Sequence, residues 1–206
     1  GFQQRKSFQL IDDEELAGFI KDTYVLNEDF DTGSKSEISG GLNVRMKSRN
    51  FKSQFLGATE SNAGADFGSV SIDNLDVIFT DENFRSGDLN FQFLPTDRYI
   101  ADLESQSAFA AYTLQKEKFN LNVGMRFQRD AIDVLFDVNN FPGRRGVTNK
   151  EYTNLYPSVN FKYNLTEDQG VRFAGSRTIT LPEFKEIAPF EYVSPVGQVT
   201  KGNPDL

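Results

Sequence analysis

Apolar side chains fall on every second position from Phe119 to Phe127, where Phe119, Leu121, Val123, Met125 and Phe127 alternate with Asn120, Asn122, Gly124 and Arg126. An extended chain sends successive side chains to opposite faces, so this period predicts a β-strand with one apolar and one polar face. The pattern returns at Val159, Phe161, Tyr163 and Leu165 against Ser158, Asn160, Lys162 and Asn164. It appears again at Ile38, Leu42, Val44 and Met46 against Ser39, Asn43, Arg45 and Lys47. Less regular alternation marks Leu89 to Phe93, Tyr99 to Leu114 and Val171 to Phe173. Together these segments predict about eight strands.

Link lengths add a second regularity. Gln115-Lys116-Glu117 and Thr166-Glu167-Asp168-Gln169 read as short turns, whereas Val138 to Asn154 reads as a long loop containing Gly, Asn and Pro. Residues 52–88, rich in Gly, Ser, Asn and Asp, read as a second long loop, with a hairpin near Phe67 to Ile72. Alternating short turns and long loops are what an up-and-down membrane barrel leaves in a sequence, although a soluble β-sandwich also yields strands with mixed loops. One segment departs from the β pattern. Asp12 to Lys21 carries acidic residues ahead of Leu16, Phe19 and Ile20 at helical spacing, which predicts a short helix packed under a loop.

Composition narrows the chemistry. The 206 residues contain no histidine and no cysteine, which excludes zinc fingers, Ser-His-Asp and Cys-His triads, thiol redox pairs and His-ligated haem. A net charge of −8 argues against a sequence-independent grip on nucleic acid, which needs cations to neutralise phosphates. No stretch approaches the roughly 20 apolar residues of a membrane helix, and Gly1-Phe2-Gln3-Gln4-Arg5 lacks the core of a signal peptide. A mean hydropathy of −0.49 is still compatible with a barrel, because barrel strands show lipid only every second residue.

No constellation specifies an enzyme. The clusters Asp12-Asp13-Glu14-Glu15 and Glu28-Asp29-Phe30-Asp31 read as solvated acidic loops, and the second misses EF-hand spacing around Gly33, so no metal site is expected. Gly40-Gly41 inside a strand marks a bulge or a tight backbone approach rather than a phosphate cradle. The 20 Phe and 7 Tyr, with no Trp, suit lipid-facing strands, with Tyr99, Tyr112, Tyr156 and Tyr163 placed to mark interfaces. Arg177 shares the parity of Val171, Phe173 and Ile179, so it must lie near a rim or be turned inward by a bulge.

The C-terminal third carries a family resemblance. Tyr156-Pro157-Ser158-Val159-Asn160-Phe161-Lys162-Tyr163 is followed by a short turn and then Val171 to Thr180, ending Ser176-Arg177-Thr178. Leu181-Pro182-Glu183-Phe184, Ile187-Ala188-Pro189-Phe190-Glu191-Tyr192 and Gly202-Asn203-Pro204-Asp205-Leu206 complete the series. In this order and spacing the segments resemble the barrel of TonB-dependent outer-membrane receptors, most closely those of Bacteroidota type. Asp97-Arg98-Tyr99-Ile100-Ala101 through Tyr112, with Val123 to Phe127, is similar to a further strand pair of that family. The resemblance covers about residues 97–206; Gly1 to Phe8 and Arg49-Asn50-Phe51 match loosely.

The resemblance implies an all-β fold, an antiparallel transmembrane β-barrel seen here as one partial segment over residues 1–206, with extracellular loops at 52–88, 138–154 and 182–206. It implies location in the bacterial outer membrane and import of an extracellular nutrient by an energy-coupled, plugged barrel. Implied partners are outer-membrane lipid, TonB acting through a plug domain not contained in these residues, an unidentified imported ligand and a surface lipoprotein; nucleic acid, cofactor and metal are not among them. Arg126, Asn160, Lys162, Arg172 and Ser176 would face the lumen. Glu183, Lys185, Glu186, Glu191 and Tyr192 would lie in an extracellular loop. Of these, Arg126, Lys162, Arg172, Glu183, Lys185, Glu191 and Tyr192 are the candidate ligand contacts.

Members of that family carry a plug and a barrel of about 22 strands, more than about eight strands supply, so the chain is expected to be a mid-barrel fragment. Two alternatives remain at this level. One is a self-contained eight-stranded outer-membrane barrel, whose first and last strands would pair. The other is a soluble, secreted β-rich binding module with sheet packed on sheet.

Overall fold

A computed structural model describes residues 3–60, 72–93, 95–139, 141–193 and 198–205. Its main feature is an antiparallel sheet in the order β1–β2–β4–β5–β6–β7. The strands are β1 (Gln3–Asp29), β2 (Ser34–Glu60), β3 (Leu89–Phe93), β4 (Asp97–Gln115), β5 (Phe119–Asp137), β6 (Arg145–Asn164) and β7 (Gly170–Ser176). The short β3 pairs with the far end of β2. A separate hairpin of β8 (Glu191–Val193) and β9 (Val199–Lys201) follows. Three short α-helices, α1 (Leu75–Ile78), α2 (Asp81–Ser86) and α3 (Phe184–Ile187), and a 3-10 turn at Ile72–Asn74 complete the described structure. No described helix is long and apolar enough to cross a membrane.

Several expectations are corrected here. The predicted helix at Asp12 to Lys21 is the middle of β1. Its acidic residues at 13 and 15 also sit at period two, and on the neighbouring strand they meet Arg49 and Lys47 as cross-strand partners. The lateral pairing along β2 outweighs a weak local helical tendency. The two long loops are also shorter than expected, because β2 runs to Glu60 and β6 begins at Arg145. The link between β5 and β6 is therefore residues 138–144. The predicted hairpin near Phe67 to Ile72 lies almost wholly outside the described residues. Strand β7 stops at Ser176, so Arg177 is no longer bound by strand parity.

Cross-strand register assigns the two faces. Ile38, Tyr112, Val123 and Val159 are successive partners, as are Leu42, Ala108, Phe127 and Leu155. These belong to a continuous apolar band on one face, here called outer. On β5 the band runs from Phe119 to Phe127, about 27 Å along the strand at ~3.4 Å per residue. With a barrel tilt near 40° this gives a height of roughly 21 Å, close to the apolar girdle of about 25 Å in outer-membrane barrels. Above it the same face turns polar, through Arg129 and Asp133 on β5 and Glu104 and Asp102 on β4. Asp22, opposite Gly40 on the edge strand, is the one charge within the band among the described residues.

The opposite, inner face is polar over its lower part and apolar near its upper end. There Phe51, Tyr99, Ala101, Ile132, Val134 and Phe136 form a buried cluster with Phe184, Ile187, Ala188 and Phe190. The chain after β7 therefore folds back across the inner face as a strap. Phe51 stacks on Tyr99 at 4.7 Å, and Phe190 meets Phe51 edge-on at 4.9 Å. Glycines permit close approach at several points, Gly41 and Gly202 among them. A Cβ on Gly41 would lie 2.3 Å from Ile20 O and 2.7 Å from the Phe109 ring, so Gly41 lets that ring cross the sheet, a tight approach of the kind expected at Gly40-Gly41. A Cβ on Gly202 would lie 1.8 Å from Ala188 O, where the chain after β9 returns to α3 and Asn203 N–H donates to Glu186 O at 2.6 Å.

The tyrosines divide between faces. Tyr163 is outward at the turn end of the apolar band, where an interface marker is expected, but Tyr112 is outward midway along the band beside Val123, and Tyr99 and Tyr156 belong to the inner face. Tyr99 packs in the strap cluster because its strand parity matches Ala101, not Ile100.

Candidate functional site

The inner face is the surface that chemistry has to use, since the outer one carries the apolar band. On β2 the alternation of Arg45, Lys47 and Arg49 lines up three cations on it, and β1 supplies the answering carboxylates. Arg49 donates twice to Asp13, at 2.6 Å each, and Arg45 donates twice to Glu15, at 2.8 and 3.0 Å. Lys47 Nζ lies 3.4 Å from Asp13. Between this ladder and the strap opens a cleft of ≈ 320 Å³, lined by Arg45, Lys47, Arg49, Leu103, Glu183 and Phe184 among others. The Arg49 guanidinium sits 5.7 Å from the centre of the Phe184 ring, a cation–π contact that ties strap to wall.

Lower on the same face, β5 and β6 bring amides and cations together. Arg126 is paired across the sheet with Phe109 and Tyr156, and Gln128 with Ser107 and Asn154. Gln128 donates to both oxygens of the fully buried Asp130, at 2.8 and 3.0 Å. Beside Asp130 the Tyr152 hydroxyl is buried with no hydrogen-bond partner among the described residues. Lys162 stands directly between Asn120 and Arg172, and Asn160 between Asn122 and Ala174.

The structure thus places Arg126, Asn160, Lys162, Arg172 and Ser176 on one face, the polar one. Glu183 and Lys185 fall in the strap, where they pair at 2.9 Å; the Lys185 ammonium holds the Glu183 carboxyl below its usual range. Glu183 accepts from, and Glu186 reaches back to, the backbone at the start of α3. Glu191 begins β8 opposite Lys201. Tyr192 pairs with Thr200 through its backbone, and its side chain is outside the described set. The candidates therefore form two groups, one along the lower wall and one on the strap, rather than a single pocket. The sequence reading missed Asp13 and Glu15, whose period-two spacing was hidden inside an apparently helical segment.

The rim above the strap cluster has its own latch. Arg144, in the left-handed region at φ 66°, donates to Asp137 at 2.8 Å, to Thr96 O at 3.0 Å and to Asn139. Asp97 accepts from the Asn139 N–H at 2.7 Å. Asp97 lies far above the apolar band, and burial pushes its carboxyl above the ordinary aspartate value of 3.8 despite that bond and nearby Arg144. A carboxyl whose folded value is raised favours the fold while protonated, and this contribution is lost as pH rises through the folded value. This contribution to the melting temperature of the detergent-extracted protein should accordingly fall as pH rises above about 4, against the opposite trend of carboxyls held low by cations, such as Asp137. Asp97→Asn, which keeps an acceptor for Asn139, should flatten that dependence; an unchanged pH profile would remove Asp97 as its source.

A sheet of antiparallel strands with a lipid-height apolar band outside, polar positions inside and an inward-folded loop defines a wall segment of a membrane β-barrel. A family model described as the outer membrane protein beta-barrel family matches residues 26–206, and the chain belongs to that family. Its place is the bacterial outer membrane. This overturns the soluble secreted module. Among solved structures, the chain is similar to the siderophore receptor PiuA from Acinetobacter baumannii, with 14% identity and a TM-score of 0.37 over 68% of this chain. The chain spans 23% of that receptor's length. No curated protein sequence matches it.

Proposed function

We propose that this chain is part of the barrel wall of a TonB-dependent receptor that imports an extracellular nutrient, with plug and remaining strands supplied by the rest of a longer protein. The observation that carries the reading is the open sheet: β1 pairs only with β2, and β7 only with β6, among the described residues. Unpaired edges are not stable in lipid, and a self-contained eight-stranded barrel would pair its first and last strands. The strand lengths point the same way. Strands of 19 to 27 residues far exceed the 9–11 or so needed to cross a bilayer, so the wall stands well above the membrane, as a large receptor barrel requires. The ordered C-terminal motifs, from Tyr156-Pro157 to Gly202-Asn203-Pro204-Asp205, support the TonB-dependent class.

In this reading Arg126, Lys162 and Arg172 line the ligand path, and Glu183, Lys185, Glu191 and Tyr192 meet ligand from the loop side. No residue acts as a catalyst. TonB engages the plug, and a surface lipoprotein covers the extracellular mouth.

The test is the size and company of the native protein. An antibody against residues 97–206 should detect an outer-membrane band far above 23.2 kDa. The detergent-extracted protein should be retained by the immobilised periplasmic domain of TonB. A band near 23.2 kDa, or a large protein that TonB does not retain, would overturn the proposal.

A further inference from the structure

Composition makes the chain acidic, yet the sheet sorts its charges between faces. On the inner face the carboxylates Asp13 and Glu15 are already engaged by Arg45, Lys47 and Arg49, and Glu37 by Lys35 at 3.0 Å. Of the other inner acids, Asp130 is fully buried under Gln128, Asp97 belongs to the rim latch, and Glu28 lies opposite Lys35 at the turn end of β1. What remains inside is cationic: Lys21, Arg126, Lys150, Lys162 and Arg172 have no ion-pair partner among the described residues. The outer face above the apolar band shows the reverse. Arg129 is taken by Glu151 at 3.0 Å and Arg98 by Asp137 at 3.5 Å, and although Lys52 is left over, Glu14, Asp102, Glu104 and Asp133 have no ion-pair partner among the described residues. A barrel wall that is negative outside and positive inside concentrates anions in its lumen, where low-dielectric walls focus the field.

One pair sharpens this. Lys162 and Arg172 are direct cross-strand partners, and like charges so placed are unfavourable unless something lies between them. Glu167 and Asp168 of the adjoining turn line the same ≈ 430 Å³ cleft but form no ion pair with either. Arg126 lies higher on the same face, about 20 Å along the strand at ~3.4 Å per residue. Asn122, Asn160 and Asn154, donors without charge, lie on that face between or beside these levels.

We propose that the inner wall carries a small polyanion, bearing several carboxylate or phosphate groups, with Arg126 contacting it on the way to the Lys162–Arg172 pair. This rests on the inner face being a ligand path and deepens the import reading by naming the class of ligand.

The test uses the full-length protein extracted in detergent, with inositol hexakisphosphate as polyanion, spermine as polycation and maltohexaose as neutral probe, followed by calorimetry. Inositol hexakisphosphate should bind at 50 mM NaCl and weaken steeply at 500 mM, while the other probes do not bind. Neutralising Arg126→Gln, Lys162→Gln and Arg172→Gln should each weaken binding about tenfold, the cost of one charge-assisted contact. The charge-keeping triple variant Arg126→Lys, Lys162→Arg, Arg172→Lys should retain binding within a few-fold. If a neutral variant fails to assemble, the charge-keeping variant and the salt dependence of the unaltered protein still decide. Absence of polyanion binding, equal binding by the neutral variants, or preference for spermine would overturn the proposal. Binding in detergent does not need TonB, so a protein that binds the polyanion but is not retained by TonB would overturn import alone.

Discussion

Val123→Arg should abolish accumulation of the protein in the outer membrane, whereas Asn122→Arg, one residue away, should leave it near normal. Val123 lies midway along the apolar band of β5, between Tyr112 and Val159 on the flanking strands. An arginine facing lipid at the bilayer midplane costs about 2–4 kcal/mol, enough to divert a marginal barrel from assembly. Leu121→Arg, one outward position nearer the short turns, should act in the same direction with a smaller effect. Asn122 faces the interior between Thr113 and Asn160, where a cation stays in water. Outer-membrane fractionation of the variants reads the result directly. Normal assembly of Val123→Arg would mean that the assigned faces are reversed.

Phe190→Ala should release the strap. The ring is buried against Phe51 and Tyr99, and Ile187 and Ala188 beside it are fully buried on the same wall. Deleting a buried aromatic ring costs roughly 3–5 kcal/mol, through lost transfer free energy and the cavity left behind. The strap is a single excursion off the sheet, so that cost falls on local opening and not on the β-ladders beneath it. Trypsin cleavage after Lys185 in the detergent-extracted protein should accelerate by about two orders of magnitude or more. Unchanged cleavage, with the strands intact, would show that the strap is held by something other than this ring. The strap also forms one side of the Arg45–Arg49 cleft, so its release opens that cleft.

How much of this was readable depends on how far each residue's state is set by its own neighbours in sequence. The turn-side parts of β5 and β6 were legible because their outward positions alternate so cleanly that no other period fits; β4 alternates less regularly, and residues 145–154 of β6 read as loop. The short turns at 116–118 and 165–169 followed from the same runs. That Arg126, Asn160, Lys162, Arg172 and Ser176 share one face follows from parity, which is conserved across antiparallel partners, whereas assigning that face to a lumen came with the family resemblance. β1 was not legible, because Asp12 to Lys21 satisfies helical and extended spacing equally well and only the facing cations of β2 decide between them. Nor was the inward role of Tyr99: parity puts a side chain on a face, but burial there required a strap to arrive from residues more than eighty positions away.

The sequence by itself determined the alternating runs of the central strands, their two-faced character and the absence of histidine and cysteine chemistry, because each is a property of residues adjacent along the chain. Tertiary structure alone decided the pairing of Asp13 and Glu15 with the cations of β2, the strap over the inner wall and the sorting of an acidic chain into a negative outside and a positive inside. Those depend on which strand lies beside which, and on where a distant loop comes to rest. Charge summed over a sequence carries no direction, and only the sheet gives it one.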